Sequence, residues 1–372
     1  MNKAVYMKKR IIKLISMALA IIIAAFALPS CAKETVIMSY KDYTVNANYY
    51  TYWLSRFKAN FLYSYSDVVD SDEYYDSVIS EDGRTANQVM TDISDNAIKN
   101  YLVREYLCDV YGLKLNDAIL DSIDEQLERL LTEHADGSKS VFNGIAAEYG
   151  IDYKMLRDIY VIETKSELFY EFYTENIIKP QLTDEDKESF CKSNYAKADF
   201  IYISTEFRYN IDENGNYIYD STGSYQIPYT DEERKAQMEK IATVEASVNG
   251  ENFNSLRKEY NEDPAKDVYT NGYYFFPEMQ YNQTVLNAVL TMAPGEIKRI
   301  DCEYGVYFMR RMSTESDAYS NEKNKDFFDD FETRLIDHIF NEMLEEELAS
   351  VVINEEAKKD ITIKSVKPCT HF

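Results

Sequence analysis

The sequence predicts an α+β protein. Three observations carry that prediction. Apolar residues recur at helical spacing through the first half, short alternating segments follow Lys197, and a long amphipathic stretch from Asn324 to Val351 closes the chain. At 372 residues there is length for two or three domains and a sizeable core.

Residues 1–30 stand apart from that core. Lys3, Lys8, Lys9 and Arg10 precede the apolar run IIKLISMALAIIIAAFA, which ends in LPSC at Leu28 to Cys31. A charged leader followed by an apolar run is the layout of a secretory signal peptide. A leucine three residues before a cysteine, with a small serine between, resembles the bacterial lipobox, which implies cleavage before Cys31 and a lipid on its sulfur. An uncleaved membrane anchor is the other reading, since the run is almost long enough to span. Both readings tether the remaining chain outside the cytoplasmic membrane.

Residues 31–372 carry 35 Lys/Arg against 65 Asp/Glu, a net charge of −30. Such a surface repels phosphate backbones and argues against nucleic acid as a partner. It confers solubility and attracts basic, unfolded or exported chains. The cysteines beyond Cys31 are Cys108, Cys191, Cys302 and Cys369, with no CxxC pair and no metal spacing, so two bridges or four buried thiols both stay open. The only histidines are His134, His338 and His371. No cofactor is implied.

Along the chain, TVIMSYKDYTVNANYYTYWLSRF reads as a short strand pair running into a Tyr-rich helix. The next segment places Val89, Ile93, Ala97 and Tyr101 on one helical face, with Gly112 as its stop. A further helix starts from a cap at Asn116 and lines up Ile119, Ile123, Leu127 and Leu130 or Leu131. ADGSKS is a loop, and a long helix runs from Tyr153 to Tyr173. Thr183 with Asp186 caps a helix that gives way to the strand KADFIYIS.

The polar, aromatic stretch 205–229 is a hairpin excursion with its turn at Asn214–Gly215. Asn210, Asp212, Asn214 and Gly215 imitate a calcium loop, but its twelfth position is Ser221 rather than Glu, so no metal is expected. A Thr230–Glu233 capping box opens a helix, NFNSLRKEYNEDP is a shorter one, NGYYFF a strand and QTVLNAVLTM another short helix. APGEIKRIDCEYGVYFMRRM then forms a strand hairpin. A single long helix through Phe328, Phe331, Leu335, Ile339, Met343 and Val351 packs back on the N-terminal helices, and DITIKSVKP closes the chain as a strand. The expected divisions are 31–190, mostly helical; 191–315, the sheet domain with its insertion; and 316–372, the closing helix and strand.

In the second of these the residues resemble the parvulin family of peptidyl-prolyl isomerases. NFNSLRKEYNEDP is similar to F-x-x-L-A-x-x-Y-S-x-D-P, NGYYFFPEM to G-G-x-L-G-x-F with a following Met, LNAVLTMAPGEI to A-x-x-x-L-x-x-G-E-I, and EYGVYFMRRM to the closing Y-G-x-H-I-I strand. The resemblance implies a four-stranded antiparallel sheet with surrounding helices. The flanks resemble the PrsA-type lipoproteins and SurA-type chaperones, which implies a helical SurA-N-like domain completed by the closing helix and interrupted by the parvulin-like domain. It further implies a membrane-tethered factor, on a Gram-positive surface, that assists unfolded or newly exported polypeptides. A homo-oligomer stays open.

A parvulin site cups the proline ring in apolar side chains over a polar cluster with two histidines and a Cys or Asp. Here the first histidine position is Phe200 and the second is Tyr307, while S-x-D-P maps to Asn261, Glu262, Asp263 and Pro264, retaining Asp263. Asp263 and Tyr307 are therefore the candidate catalytic residues, and Phe200, Tyr274, Phe276, Met279, Val285 and Met292 the candidate peptide-binding set. The expectation is a chaperone with a catalytically degenerate isomerase domain. A divergent active isomerase and an unrelated binding lipoprotein are the alternatives.

Overall fold

The computed structural model describes residues 35–80, 82–213 and 216–372. The leader with Cys31 and the expected turn at Asn214–Gly215 lie outside the described residues. No helix among the described residues is long and apolar enough to cross a membrane. The described chain divides into two compact units, residues 35–180 with 339–372, and residues 181–338.

In the first unit, β1 (Val36–Tyr40) and β2 (Tyr43–Asn46) form an antiparallel hairpin, and the short strand Val352–Ile353 pairs with the other edge of β1 through Met38 and Ser39. The expected closing strand DITIKSVKP is absent from this sheet. That stretch alternates apolar and polar residues, but side chains rather than a neighbouring strand take its amides. Thr91 accepts from Ile363 N at 3.1 Å and Asn87 from Lys364 N at 2.9 Å, while Lys58 donates to Val366 O at 2.9 Å.

Long helices Ala47–Ser64, Ala86–Val110, Asp117–Ala135 and Tyr153–Tyr173 make the body of this unit, each opened by a polar side chain that caps its first amides: Asn46, Thr85, Asn116 and Asp152. In helix 86–110 the buried stripe is Met90, Ser94, Ile98 and Leu102, and the expected face is offset, with Ile93 64 % exposed. Buried Thr91, Ser94 and Asp95 explain the offset, because the inward face includes polar groups with dedicated partners. Asp95 accepts from Tyr50 at 2.6 Å and pairs with Lys358, which satisfies a carboxylate that would otherwise be costly to bury.

The expected single closing helix is broken into Lys325–Phe328 and Phe331–Ala349. Its buried positions are Phe328, Phe331, Leu335, Ile336, Phe340 and Leu344, not Ile339 and Met343, which are only half-buried. Within the first unit Phe340 packs on Phe169 and Tyr170, with ring centroids 5.9 and 5.0 Å apart. Within the second, Phe331 packs on Phe190 at 5.6 Å.

The second unit is built on a four-stranded antiparallel sheet ordered β6-β3-β8-β7: β3 (Ala196–Ser204), β6 (Tyr273–Phe275), β7 (Ile297–Cys302) and β8 (Gly305–Arg311). The central β3 is buried along its whole length, and its side chains alternate between two cores. Ile201 and Ile203 join Val306 and Phe308 under helices Asp231–Ser247 and Phe253–Tyr260. Ala198, Phe200 and Tyr202 face helix Gln283–Thr291. Thr183 and Thr230 both form the expected capping boxes. The insertion adds a small two-stranded sheet, β4 (Phe207–Tyr209) against β5 (Gln226–Pro228). All four described cysteines are free thiols.

Candidate functional site

The β3/β8 register fixes the centre of the site. Tyr202 stands opposite Tyr307, and Phe200 opposite Met309, so the two positions expected to hold histidines lie diagonally across adjacent strands on one face. Their rings meet edge to face with centroids 5.5 Å apart, and Tyr307 also touches Tyr202 at 4.7 Å. Phe200, Val285 and Met292 are buried in one cluster with Phe275, Leu286, Val289 and Met309, and Met279, Tyr273, Tyr281 and Tyr307 pack at its half-buried rim. These residues form an apolar cup on the sheet whose floor is closed by its own side chains, leaving only the half-buried rim to meet solvent.

Tyr274 and Phe276 are not in it. The strand alternates, so Tyr273 and Phe275 point into the cup and their neighbours point away. Tyr274 is buried on the reverse face, where its hydroxyl donates to Glu315 at 2.7 Å, and Phe276 carries the Arg334 guanidinium over its ring at 3.8 Å. Both are corrected here from the expected peptide-binding set.

Asp263 reaches the cup through a clamp on the free edge of β3. Strand β6 pairs only with Ala196–Ala198, which leaves the amides and carbonyls near Tyr202 without a strand partner on that side. The loop after helix 253–260 takes its place. Buried Asn261 accepts from Tyr202 N at 3.0 Å and from Asp263 N at 3.2 Å, Glu262 N donates to Tyr202 O at 2.8 Å, and the Glu262 carboxylate accepts from Ser204 N at 3.0 Å. The chain is thereby pinned one residue before Asp263, whose carboxylate accepts from Ala265 N at 2.7 Å.

Around that carboxylate stand tyrosines. Its charge bears on Tyr209, Tyr217, Tyr273, Tyr281 and Tyr307, all of which are held above the ordinary phenol value, mainly by burial; Tyr209 is pushed up to about 12. The Tyr281 hydroxyl approaches that of Tyr307 at 3.5 Å. Burial also raises the Cys302 thiol, which stands beside Tyr281 and Tyr307 and is hydrogen-bonded to Gly305 O at 3.2 Å. Asp263 is itself raised from its ordinary carboxylate value, first by burial, against the weaker pull of Ala265 N, Arg257 and Lys266.

The chemistry available is therefore that of neutral donors in an apolar setting. The tyrosines keep their protons, the thiol is no thiolate, and the described residues hold no group of three or more metal-ligating side chains. The arrangement can desolvate a ligand and donate hydrogen bonds to a carbonyl. Sequence reasoning missed Tyr273, Phe275 and Tyr281, and also Tyr209 and Tyr217 from the insertion. Both phases of YYFF are aromatic, so alternation does not single out the first two, and proximity of the insertion to Asp263 leaves no local signal.

Two outcomes follow. Asn261→Ala leaves two buried amides without acceptors, and chemical denaturation should show a loss of about 1–3 kcal/mol. Asp263→Asn keeps the acceptor for Ala265 N and removes a desolvated charge. A carboxyl whose folded-state value is raised contributes its full stability below the unfolded value of 3.8 and loses it as pH climbs through the higher folded value. Asp263→Asn should thus melt above wild type at pH 7, with the gap closing toward pH 4.

Residues 191–313 match the PPIC-type PPIase domain family. No curated protein matches the chain. Among solved structures, PrsA from Bacillus subtilis is 20 % identical, covering 77 % of this chain and 92 % of its own, with a TM-score of 0.20. Foldase protein PrsA from Streptococcus pneumoniae is 14 % identical, covering 88 % and 98 %, with a TM-score of 0.22. A match to the SurA-like chaperones PEB4 and Cj1289 of Campylobacter jejuni is 13 % identical, covering 63 % and 95 %, with a TM-score of 0.21. Likenesses with such TM-scores carry no argument for function.

Proposed function

We propose that this chain, whose residues 191–313 are a PPIC-type PPIase domain, is an extracytoplasmic folding factor that holds unfolded or newly exported polypeptides, and that its isomerase domain serves as a prolyl-segment binder with little catalytic power. The observation that carries this reading is the cup itself: Phe200 and Tyr307 meet at 5.5 Å where the family places histidines, with the apolar wall of Val285, Met292 and Met309 retained beside them. The half-buried rim of Tyr273, Met279, Tyr281 and Tyr307 would meet a proline ring, with neutral hydroxyls to donate to its carbonyl. The anionic surface, net −25 over the whole chain, favours basic clients and disfavours nucleic acid. The lipobox-like LPSC supports a lipid anchor on Cys31 and a location outside the cytoplasmic membrane.

A divergent active isomerase is the second reading. The barrier to rotation is about 18–20 kcal/mol and is lowered by binding a twisted amide better than a planar one, which requires no nucleophile. Tyr307, Tyr281 and Asp263 would then supply the polar contacts. A prolyl isomerisation assay over several residues preceding the proline, paired with suppression of aggregation of a reduced client, separates the two. The expected result is suppression without measurable acceleration of isomerisation, and Tyr307→Phe leaving suppression within about twofold. Acceleration that Asp263→Ala abolishes would establish the enzyme; no suppression at several-fold excess would remove the chaperone reading.

A further inference from the structure

The insertion does more than decorate the domain. Its strand β4 carries Phe207 and Tyr209 to the rim of the Asp263 loop, and between them lies a groove of about 420 Å³ walled by Phe207, Tyr209, Ile211 and Pro264. Tyr209 is backed by Tyr225, stacked at 6.2 Å with an interplanar angle of 15°, and Tyr217 packs on both at 6.0 and 4.5 Å. The result is an aromatic wall of stacked and tilted rings. Ile211, Tyr217, Ile218 and Tyr219 are 46, 40, 46 and 61 % exposed along the same insertion, so the wall opens to solvent.

The charges lining this groove are unbalanced in one sense. Of its two cations, Arg208 pairs with Glu233, while Lys266 donates to Asn261 O at 3.0 Å and its charge also acts on Asp263, leaving Asp267 as the further acid. Glu262 is engaged too, with Gln237 and Lys240. Asp263 has one carboxylate oxygen on Ala265 N, and among the described residues neither its other oxygen nor the Asp267 carboxylate has a hydrogen-bond or ion-pair partner. An aromatic wall with free carboxylates at its foot complements a long basic side chain, whose stem lies on the rings and whose head meets the acids.

We propose that this groove receives a lysine or arginine side chain flanking the proline held in the cup, so that the insertion selects basic prolyl segments among client polypeptides. The inference rests on the reading of the cup as a prolyl-segment site. Tyr209 lines the groove and also packs on the cluster of Phe200, Tyr202 and Met309, so groove and cup are neighbours and share that ring.

The test uses the full chain, kept in solution by a nonionic detergent, and fluorescent decapeptides containing one proline. One peptide carries Lys next to the proline, one has the same composition with Lys at the far end, one carries Glu next to the proline, and one has Ala there. Anisotropy titrations should show the Lys-flanked peptide binding about tenfold tighter than the Glu-flanked one, equivalent to ~1.4 kcal/mol, and at least about threefold tighter than its composition-matched partner. Asp263→Asn and the exposed Asp267→Asn should each shrink the latter ratio toward one. Equal affinity for the two Lys peptides, or a preference unchanged in both variants, overturns the proposal while leaving the cup reading standing. Failure of all four peptides to bind removes the cup reading, and this proposal with it.

Discussion

The site depends on one substitution of hydrogen-bond partners. A central strand buried along its full length must have its amides and carbonyls taken on both edges, and β6 is too short to do this for β3 beyond Ala198. The Asn261 side chain and the Glu262 backbone complete the edge at Tyr202, with the Glu262 carboxylate at Ser204. The same contacts that satisfy the sheet fix where Asp263 stands. Sheet stability and site geometry are therefore the same interaction, and the Asn-Glu-Asp-Pro run cannot drift without exposing β3.

What the clamp presents is an acid among phenols. Phe200 and Tyr307 fill ring-sized volume on neighbouring strands without an imidazole among them. Burial then raises the tyrosines and Asp263 alike, which keeps the phenols protonated and makes the Asp263 carboxylate more basic than an exposed one.

Much of the second unit was legible in the sequence because local signals there agree with one another. Thr183 and Thr230 cap helices with their acidic partners three residues on, the strand of KADFIYIS alternates between two cores, and the closing hairpin carries its own register. Legibility failed where a pattern had no contrast. In Tyr273-Tyr274-Phe275-Phe276 both phases of the strand are aromatic, so alternation cannot choose the inward pair. In helix 86–110 polar Ser94 and Asp95 face inward, which shifts the buried stripe away from Ile93. In the last residues alternation suggested a strand, but the amides are taken by Thr91 and Asn87, more than 270 residues away in sequence. The approach of Tyr209 and Tyr217 to Asp263 is likewise a tertiary fact with no local trace.

The central claim is that the cup over Phe200 and Tyr307 is where a prolyl segment sits. Methionine methyls report on it directly, since Met279, Met292 and Met309 lie in or at the rim of the cup, while Met38 and Met90 are buried in the helical unit. The measurement is methyl NMR of the full chain labelled at methionine, titrated with a proline peptide and with the same peptide carrying alanine in place of proline. The account predicts proline-dependent shifts at Met279, Met292 and Met309 with Met38 and Met90 unmoved. Shifts confined to the helical unit, or identical for the two peptides, would contradict it.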